Sequence, residues 1–426
     1  MIGQKMYDLC AELFPICRSI TGNGVRETLN ILKREFPGMK IYEVPSGTEV
    51  FDWTVPKEWN IRDAWIKDST GRKIIDFKEN NLHVLGYSLP IDQKVSLSEL
   101  KQMVYVQKEQ PDVIPYVTSY YKERSGFCMT ANMLAALSED EYHVFIDSEL
   151  TDGSLTYGEI MIPGETEEEI FFSTYICHPS MANNELSGPS VTIQLAKYIE
   201  KIPKRHYSYR IIFIPETIGS ITYLSRHLEC MKERVVAGFN LSCVGDNRTY
   251  SYIQSRYGDT LADKVAQNVL GYHYPQYITY SFLDRGSDER QYNAPGVDLP
   301  VCAICRSKYG EYPEYHTSKD DMSLISPEGL EGAYEVYRQC IEALEWNAYY
   351  QVQCLCEPQL GKRGLYPTIS QKGSYDSIMA MRDLIAYADG RNDLIDISKI
   401  IHVPVQELIP IVEKLLEHNI LKELNR

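Results

Sequence analysis

The chain has 426 residues, 44% of them hydrophobic, and a formal net charge of -16, which is material for two or three packed domains. That charge disfavours general nucleic-acid affinity, because phosphate binding needs clustered Lys and Arg. No apolar run approaches the ~20 residues of a membrane-spanning helix. The first residues lack a signal-peptide pattern, and eleven cysteines without one indicate reduced thiols and a cytoplasmic location.

In chain order, Val25, Leu29, Leu32 and Phe36 share a helical stripe that Pro37-Gly38 ends, and residues 40–44 read as a strand. From there to Gly158 the texture turns antiparallel. Residues 64–66 and 73–77 flank an Asp68-Ser69-Thr70-Gly71 turn, and residues 83–87 and 143–146 add short strands. Trp53, Trp59 and Trp65 fall in this stretch, either as a carbohydrate or peptide platform or as a small domain's core. The 32 tyrosines against 11 Phe leave the same choice between lining a polar cleft and half-buried packing. Arg124 is a candidate to clamp a substrate carboxylate with its bidentate fork, with pairing to nearby acids as the alternative.

Residues 170–176 read as a strand buried on both faces. Cys177, His178, Asn183, Asn184, Glu185 and Ser187-Gly188 follow it, and a helix opens there with Val191, Leu195 and Ile199 on one stripe. Residues 210–214 and 237–244 are further buried strands, leading to Glu216 and Asp246. Ligand and metal sites of open α/β sheets lie at such strand ends. A hydrolytic zinc site needs His and carboxylate donors there, with a Glu to take a water's proton. Cys177 reads as a buried small hydrophobe before it reads as a ligand or nucleophile. His206, His227, His273, His402 and His418 sit among ordinary surface-like residues.

The order of His178, Asn184-x-x-Ser187-Gly188, Glu216-x-x-Gly219-Ser220, Ser287-Asp288 and His316-Thr317-x-x-Asp320 resembles the zinc-dependent aminopeptidases related to bacterial leucyl aminopeptidase. The chain is most similar to a bacterial group of aminopeptidase-like proteins with an inserted β-rich domain and a C-terminal winged helix. The segments from Phe14 to Gly22 and from Gly361 to Pro367 match that group too, so the resemblance covers essentially the whole chain. It implies an α/β, phosphorylase/hydrolase-like fold whose mixed, mostly parallel sheet is flanked by helices. It also implies His178 and His316 as zinc ligands and Glu216 as general base.

Three departures bear on the metal. Asn184 stands where the family has an Asp that bridges two zincs, and Thr217 stands where it has a Glu ligand. The third-strand Asp has no unambiguous counterpart, with Ser242 nearest in register and Asp246 a few residues on. One zinc is therefore expected rather than two, on His178, His316 and a carboxylate, Glu185 preferred to Asp246. Asp320 is expected to support His316 from behind, with Asn184 beside it. Asp288 either contributes to the substrate pocket or caps a helix. The expected substrate is a small peptide or other amide. The alternative is a catalytically silent protein that binds a peptide or a sugar-linked amino acid; the losses at Asn184 and Thr217 favour it, and the retained Glu216, His178 and His316 oppose it.

The expected domains are 1–45 with 160–350 as the catalytic domain, 46–159 as the β-rich insertion, and 351–426 as linker and winged helix. The linker is Gly- and Pro-punctuated over residues 359–373, and helices follow at 378–387, 397–401 and 405–417. Ten acidic residues from Glu357 onward against nine Lys and Arg make this a protein-contact module rather than a DNA reader, with a homo-oligomer left open.

Overall fold

In the computed structural model, which describes residues 1–138, 141–366 and 378–424, eight strands pair into one mixed sheet. They are β1 (Lys40–Pro45), β2 (Ser154–Ile162), β3 (Glu169–Tyr175), β4 (Ser208–Ile214), β5 (Val235–Asn240), β6 (Ser251–Ile253), β7 (Ile278–Tyr280) and β8 (Val301–Cys305). Their order is β1-β2-β4-β3-β5-β8-β6-β7. The central strands β4, β3, β5 and β8 run parallel, and antiparallel pairing begins at β2 on one side and β6 on the other. All seven residues of β3 are buried, as in parallel strands covered on both faces. The expected strand at 237–244 is shorter at its C-terminal end, because the chain leaves the ladder after Asn240 to reach the site.

Helices α1 (Ile2–Leu13), α2 (Asn23–Glu35) and α3 (Ser187–Glu200) pack together. Ser190 Oγ donates to the Met6 carbonyl at 2.7 Å, and Lys197 meets Glu35 at 2.9 Å. Helix α4 (Ile218–Arg234) buries Ile218, Ile221 and Leu224 in a core shared with Phe171, Ile212 and Val301. The parallel register places Tyr175 opposite Ile214. His178, three residues beyond the first, and Glu216, two beyond the second, therefore emerge side by side.

Between β1 and β2 the chain builds a separate antiparallel sheet, in the order Lys73–Asp76, Glu58–Lys67, Glu141–Thr151, Ile91–Ser96. Its core holds Ala64, Ile66, Ile75, Phe127, Val144 and Ile146. The expected strand at 83–87 is not one. Asn80 accepts the Leu82 N–H at 2.9 Å and caps a 3-10 turn, Asn81–His83, after which only isolated bridges form. This local side-chain bond competes with strand pairing. The tryptophans disperse: Trp59 is buried against Tyr87, Trp65 stacks on Phe145, and Trp53 stays exposed beside Tyr121.

A second compact unit comprises residues 259–277 and 335–426. Its described helices Met379–Tyr387, Leu394–Ile401 and Val405–Glu417 accompany a three-stranded sheet of Asp389–Asp393, Tyr349–Val352 and Leu421–Glu423. Helix Leu261–His273 belongs to this unit rather than to the sheet domain, with Asn268 Nδ2 donating to Ser398 Oγ at 2.8 Å. Of the expected 359–373 linker, residues 367–373 lie outside the described residues. Among the described residues, no helix is long and apolar enough to cross a membrane.

Candidate active site

The site starts where β3 ends. The chain makes one π turn, Ala182–Leu186, before α3 begins at Ser187. Such single turns are frequent at functional sites, and here the turn directs Asn184 and Glu185 to the same side as His178. Gly188 lets α3 start against the sheet. A Cβ there would lie 2.6 Å from the Leu241 carbonyl oxygen and closer still to Thr174 Oγ1.

Glu185 Oε2 lies 2.7 Å from His178 Nδ1. Its other oxygen lies 3.8 Å from Arg18 Nε, and neither the Arg18 nor the Glu185 side chain has exposed surface. Arg18 also donates to the carbonyls of His178 at 3.0 Å and Leu13 at 2.7 Å. The carboxylate therefore fixes the proton of His178 on Nδ1 and turns Nε2 outward, as second-shell carboxylates do for metal-binding imidazoles. Burial opposes charge on this ring, but Cys177 and Glu185 beside it outweigh burial and hold it toward the protonated form.

Nε2 of His178 faces Glu216, whose Oε2 is 3.5 Å away and whose side chain keeps 20% of its surface exposed. Burial, aided by Glu185 and Glu289, raises the Glu216 carboxyl above its ordinary value against the opposing pull of His178 and Arg290. The next residue, Thr217, has φ 65° and ψ -76°, and the Ile218 N–H reaches back to the Glu216 carbonyl at 2.8 Å. This is a γ-turn of the strained kind, an outlier for a β-branched residue. It is held by Asp288 Oδ1, which accepts the Thr217 N–H at 2.8 Å and Ser220 Oγ at 2.7 Å, and by Arg290, which donates to Thr217 Oγ1 at 2.5 Å.

His316, itself at φ 55°, brings its ring to 5.3 Å from that of His178. Burial, then the charge on His178, holds His316 well below the usual imidazole value, so it is neutral. Its Nε2 lies 3.1 Å from Asn184 Oδ1, while Asn184 Nδ2 donates to the Tyr175 hydroxyl at 2.6 Å. Tyr116, from the insertion, presents its ring edge-on to both imidazoles at 5.1 and 5.0 Å. Its backbone N–H is fixed on the His316 carbonyl at 2.9 Å, and its hydroxyl meets that of Tyr120 at 2.8 Å. Ile20, Trp53, Tyr120, Cys177, His178 and Glu216 line part of a pocket of about 200 Å³ in front of this group.

Three expected site residues lie apart from it. Asp246 is saturated: it accepts from Asn183 Nδ2, the Arg248 N–H, and both the N–H and hydroxyl of Ser307, so its oxygens lock loops together. Asp320 does not bond His316; it receives the N–H groups of Asn183 and Asn184 and the Tyr312 hydroxyl, and so shapes the π turn. Arg124 is exposed, donates to Ser119 Oγ at 2.9 Å, and lies outside the pocket lining. Asp288 is fully buried beneath Thr217; its side chain does not cap the helix Glu289–Tyr292 that it precedes, and braces the Thr217 turn instead. Tyr116 and Tyr120 carry no motif of their own. Arg18 falls in the Phe14 to Gly22 segment that matches the aminopeptidase-like group, directly after the apolar Phe14-Pro15-Ile16-Cys17 run, but the segment by itself gives it no role.

Cys177, His178 and Glu185 place ligand atoms within 4.8 Å of one another, but they make a poor cage. Burial pushes the Cys177 thiol up to about 12, and a metal needs the thiolate. Glu185 Oε2 is taken by His178 Nδ1, and Oε1, which has no hydrogen bond, faces the Arg18 guanidinium at 3.8 Å. The better place is the space between His178 Nε2 and Glu216, with the His316 ring 5.3 Å from that of His178. The neutral His316 imidazole, the His178 imidazole once its Nε2 proton is displaced, and the Glu216 carboxylate suit a divalent cation.

The family model described as "Domain of unknown function (DUF4910)" matches residues 7–347, and one described as "winged helix-turn-helix" matches residues 347–423. A relative from Clostridium acetobutylicum is 48% identical over 398 residues, 93% of this chain and 91% of its own. It is described as "Putative polysaccharide biosynthesis protein with aminopeptidase-like domain". A crystal structure described as that of a "putative peptidase" from the same organism has a TM-score of 0.93 at 45% identity and covers 99% of this chain and 96% of that one. BSAP, a zinc aminopeptidase from Bacillus subtilis, has a TM-score of 0.59 at 13% identity, covering 80% of this chain and 94% of its own. At that identity the likeness shows the aminopeptidase-like fold alone.

Proposed function

We infer the function of this chain, which belongs to the DUF4910 family, from one arrangement: His178, pinned through Nδ1 at 2.7 Å by Glu185, presents Nε2 to Glu216 at 3.5 Å beside His316. We propose an amide hydrolase that works with one zinc ion. His178 and His316 would hold the ion, and Glu185 would orient His178 rather than bind the metal itself. Bound there, zinc would supply Lewis-acid polarisation of the carbonyl. A second ion lacks donors, since Asn184 is engaged by Tyr175 and His316, and Thr217 by Arg290.

Glu216 does the proton work. Its carboxylate takes a proton from water as the water oxygen bonds to the carbonyl carbon, then returns it to the nitrogen as the C–N bond breaks. The products are a carboxylic acid and an amine. A carboxyl raised by burial is matched to both halves of that task. The γ-turn at Thr217 keeps Glu216 aimed at His178 without a flexible side chain having to find the pose. The name of the Clostridium acetobutylicum relative supports an amide-bearing precursor of a polysaccharide as substrate.

A silent binding protein is the second reading, favoured by the way Asn184 and Thr217 are absorbed into protein contacts. Elemental analysis and calorimetric zinc titration of wild type and His178→Ala, with an amide panel on wild type and Glu216→Gln, separate the two. The hydrolase reading expects one zinc on wild type, weakened binding to His178→Ala, and turnover reduced about 10²- to 10⁴-fold in Glu216→Gln with the metal retained. Zinc binding to neither protein, or turnover unchanged in Glu216→Gln, overturns it.

A further inference from the structure

The pocket in front of Glu216 does not end at its own walls. A second cleft of about 570 Å³ adjoins it, and the two share Trp53, Tyr120 and Tyr121. That volume falls in the ordinary range for small-ligand sites, about 300–1,000 Å³. Trp53 stands on a two-residue ribbon, Glu49–Val50 against Trp53–Thr54, with 37% of its surface exposed. Tyr121 is 63% exposed, and the two rings meet at 5.7 Å and 64°. Tyr120 is the fixed wall between the spaces, braced edge-on by Tyr87 at 5.2 Å and by the Tyr116 hydroxyl at 2.8 Å.

Two large aromatic faces left open beside a reactive pocket call for an occupant with an apolar face. The rim specifies more. Asp52, Lys57, Lys122 and Glu123 border the same cleft. All four are exposed, and none has a side-chain hydrogen bond or ion pair among the described residues. Free donors and acceptors of both signs around exposed ring faces match a sugar, whose C–H face packs on an indole or phenol while its hydroxyls bond at the edge. A simple apolar side chain would leave that polar rim unused.

We propose that this cleft is a sugar-binding subsite and that the substrate class is an N-acylated amino sugar. The ring lies on Trp53 and Tyr121, and its amide carbonyl reaches the Glu216 pocket, where about 200 Å³ admits a small acyl group. The acyl end of the assignment rests on the hydrolase reading above; sugar binding does not.

The test therefore separates them. N-acetylglucosamine, N-acetylgalactosamine and N-acetylmannosamine are titrated into the full-length Glu216→Gln protein, and binding is followed by saturation-transfer NMR and tryptophan fluorescence. Trp53→Ala and Tyr121→Ala, both at exposed positions, are made in the same background, with circular dichroism to check the fold and zinc content measured alongside. At least one sugar should bind with a dissociation constant on the order of 1 mM, weakened at least tenfold by each alanine at unchanged zinc content. Binding by none of the three sugars, or binding unaffected by both alanines, overturns the subsite. Tighter binding of an alanyl dipeptide than of any sugar, lost in Trp53→Ala, assigns the cleft to peptides and overturns it too. Sugar binding without turnover by wild type leaves the subsite standing and removes the hydrolase; peptide turnover indifferent to Trp53 does the reverse.

Discussion

Glu185→Gln isolates the charge at the centre of the site from its hydrogen bond. The glutamine amide oxygen can still accept from His178 Nδ1, now donated over 2.7 Å to a carboxylate, but Arg18 loses its only counter-ion among the described residues. That guanidinium sits 3.8 Å from Glu185 with no exposed surface on either side chain. At an effective dielectric of about 20, unit charges at that distance attract by about 4 kcal/mol. Removing one partner of a buried pair characteristically costs about 3–5 kcal/mol. In a unit of this size about 1 kcal/mol corresponds to about 2 °C, so the variant should melt about 8 °C lower. Differential scanning calorimetry of the full chain, read on the transition of the sheet domain, measures this. The double variant Arg18→Met with Glu185→Leu removes both buried charges and should recover most of the loss. A shift under about 2 °C in Glu185→Gln, or a double variant as unstable as the summed singles, would refute the argument that Arg18 depends on Glu185.

Two further outcomes concern stability. Gly188→Ala should cost at least about 1–3 kcal/mol in urea unfolding, because the added carbon meets the Leu241 carbonyl oxygen at 2.6 Å. Gly271→Ala, in a helix where nothing lies within 4 Å, should instead gain about 0.4–1 kcal/mol; equal effects at the two sites would remove the steric argument. Asp320 is pushed by burial from 3.8 up to about 6. The folded state holds that proton more tightly than the unfolded chain. Its contribution is therefore greatest below about pH 4 and falls by roughly 3 kcal/mol as pH rises through about 6. Asp320→Asn loses acceptor bonds at every pH but lacks this slope. The stability difference between wild type and variant should thus shrink by roughly that amount from pH 4 to 7, and a flat difference would show that Asp320 titrates normally.

The parallel core was legible because its evidence is local. All seven residues of β3 are buried, with Ile170, Phe171 and Phe172 as its apolar run, and the run from Ile211 to Ile214 is apolar on both faces, which only a covered strand tolerates. The helix stripes of α2 and the winged-helix segments were legible for the same reason. What failed was decided by single side chains or by partners far away in sequence. Asn80 turned an expected strand into a capped turn, and no periodicity reports such a bond. The roles of Asp246 and Asp320 depended on Ser307, Asn183 and Tyr312, residues that reach them only through the fold.

Glu185 is the instructive residue, because its place beside His178 followed from their closeness in sequence but the arginine behind it did not. A carboxylate next to a free imidazole would be a natural ligand. One held 2.7 Å from Nδ1, with Arg18 behind it, is a natural orienter. The difference lies in an arginine 160 positions from His178 and supplied by the loop after α1. The same reasoning covers Asn184 and Thr217. A neutral amide or hydroxyl at a ligand position must find partners when buried, and Tyr175, His316 and Arg290 provide them. On the proposed reading, His178, Glu216 and His316 would serve one cation, and Asn184 and Thr217 are committed to contacts that hold those residues in place.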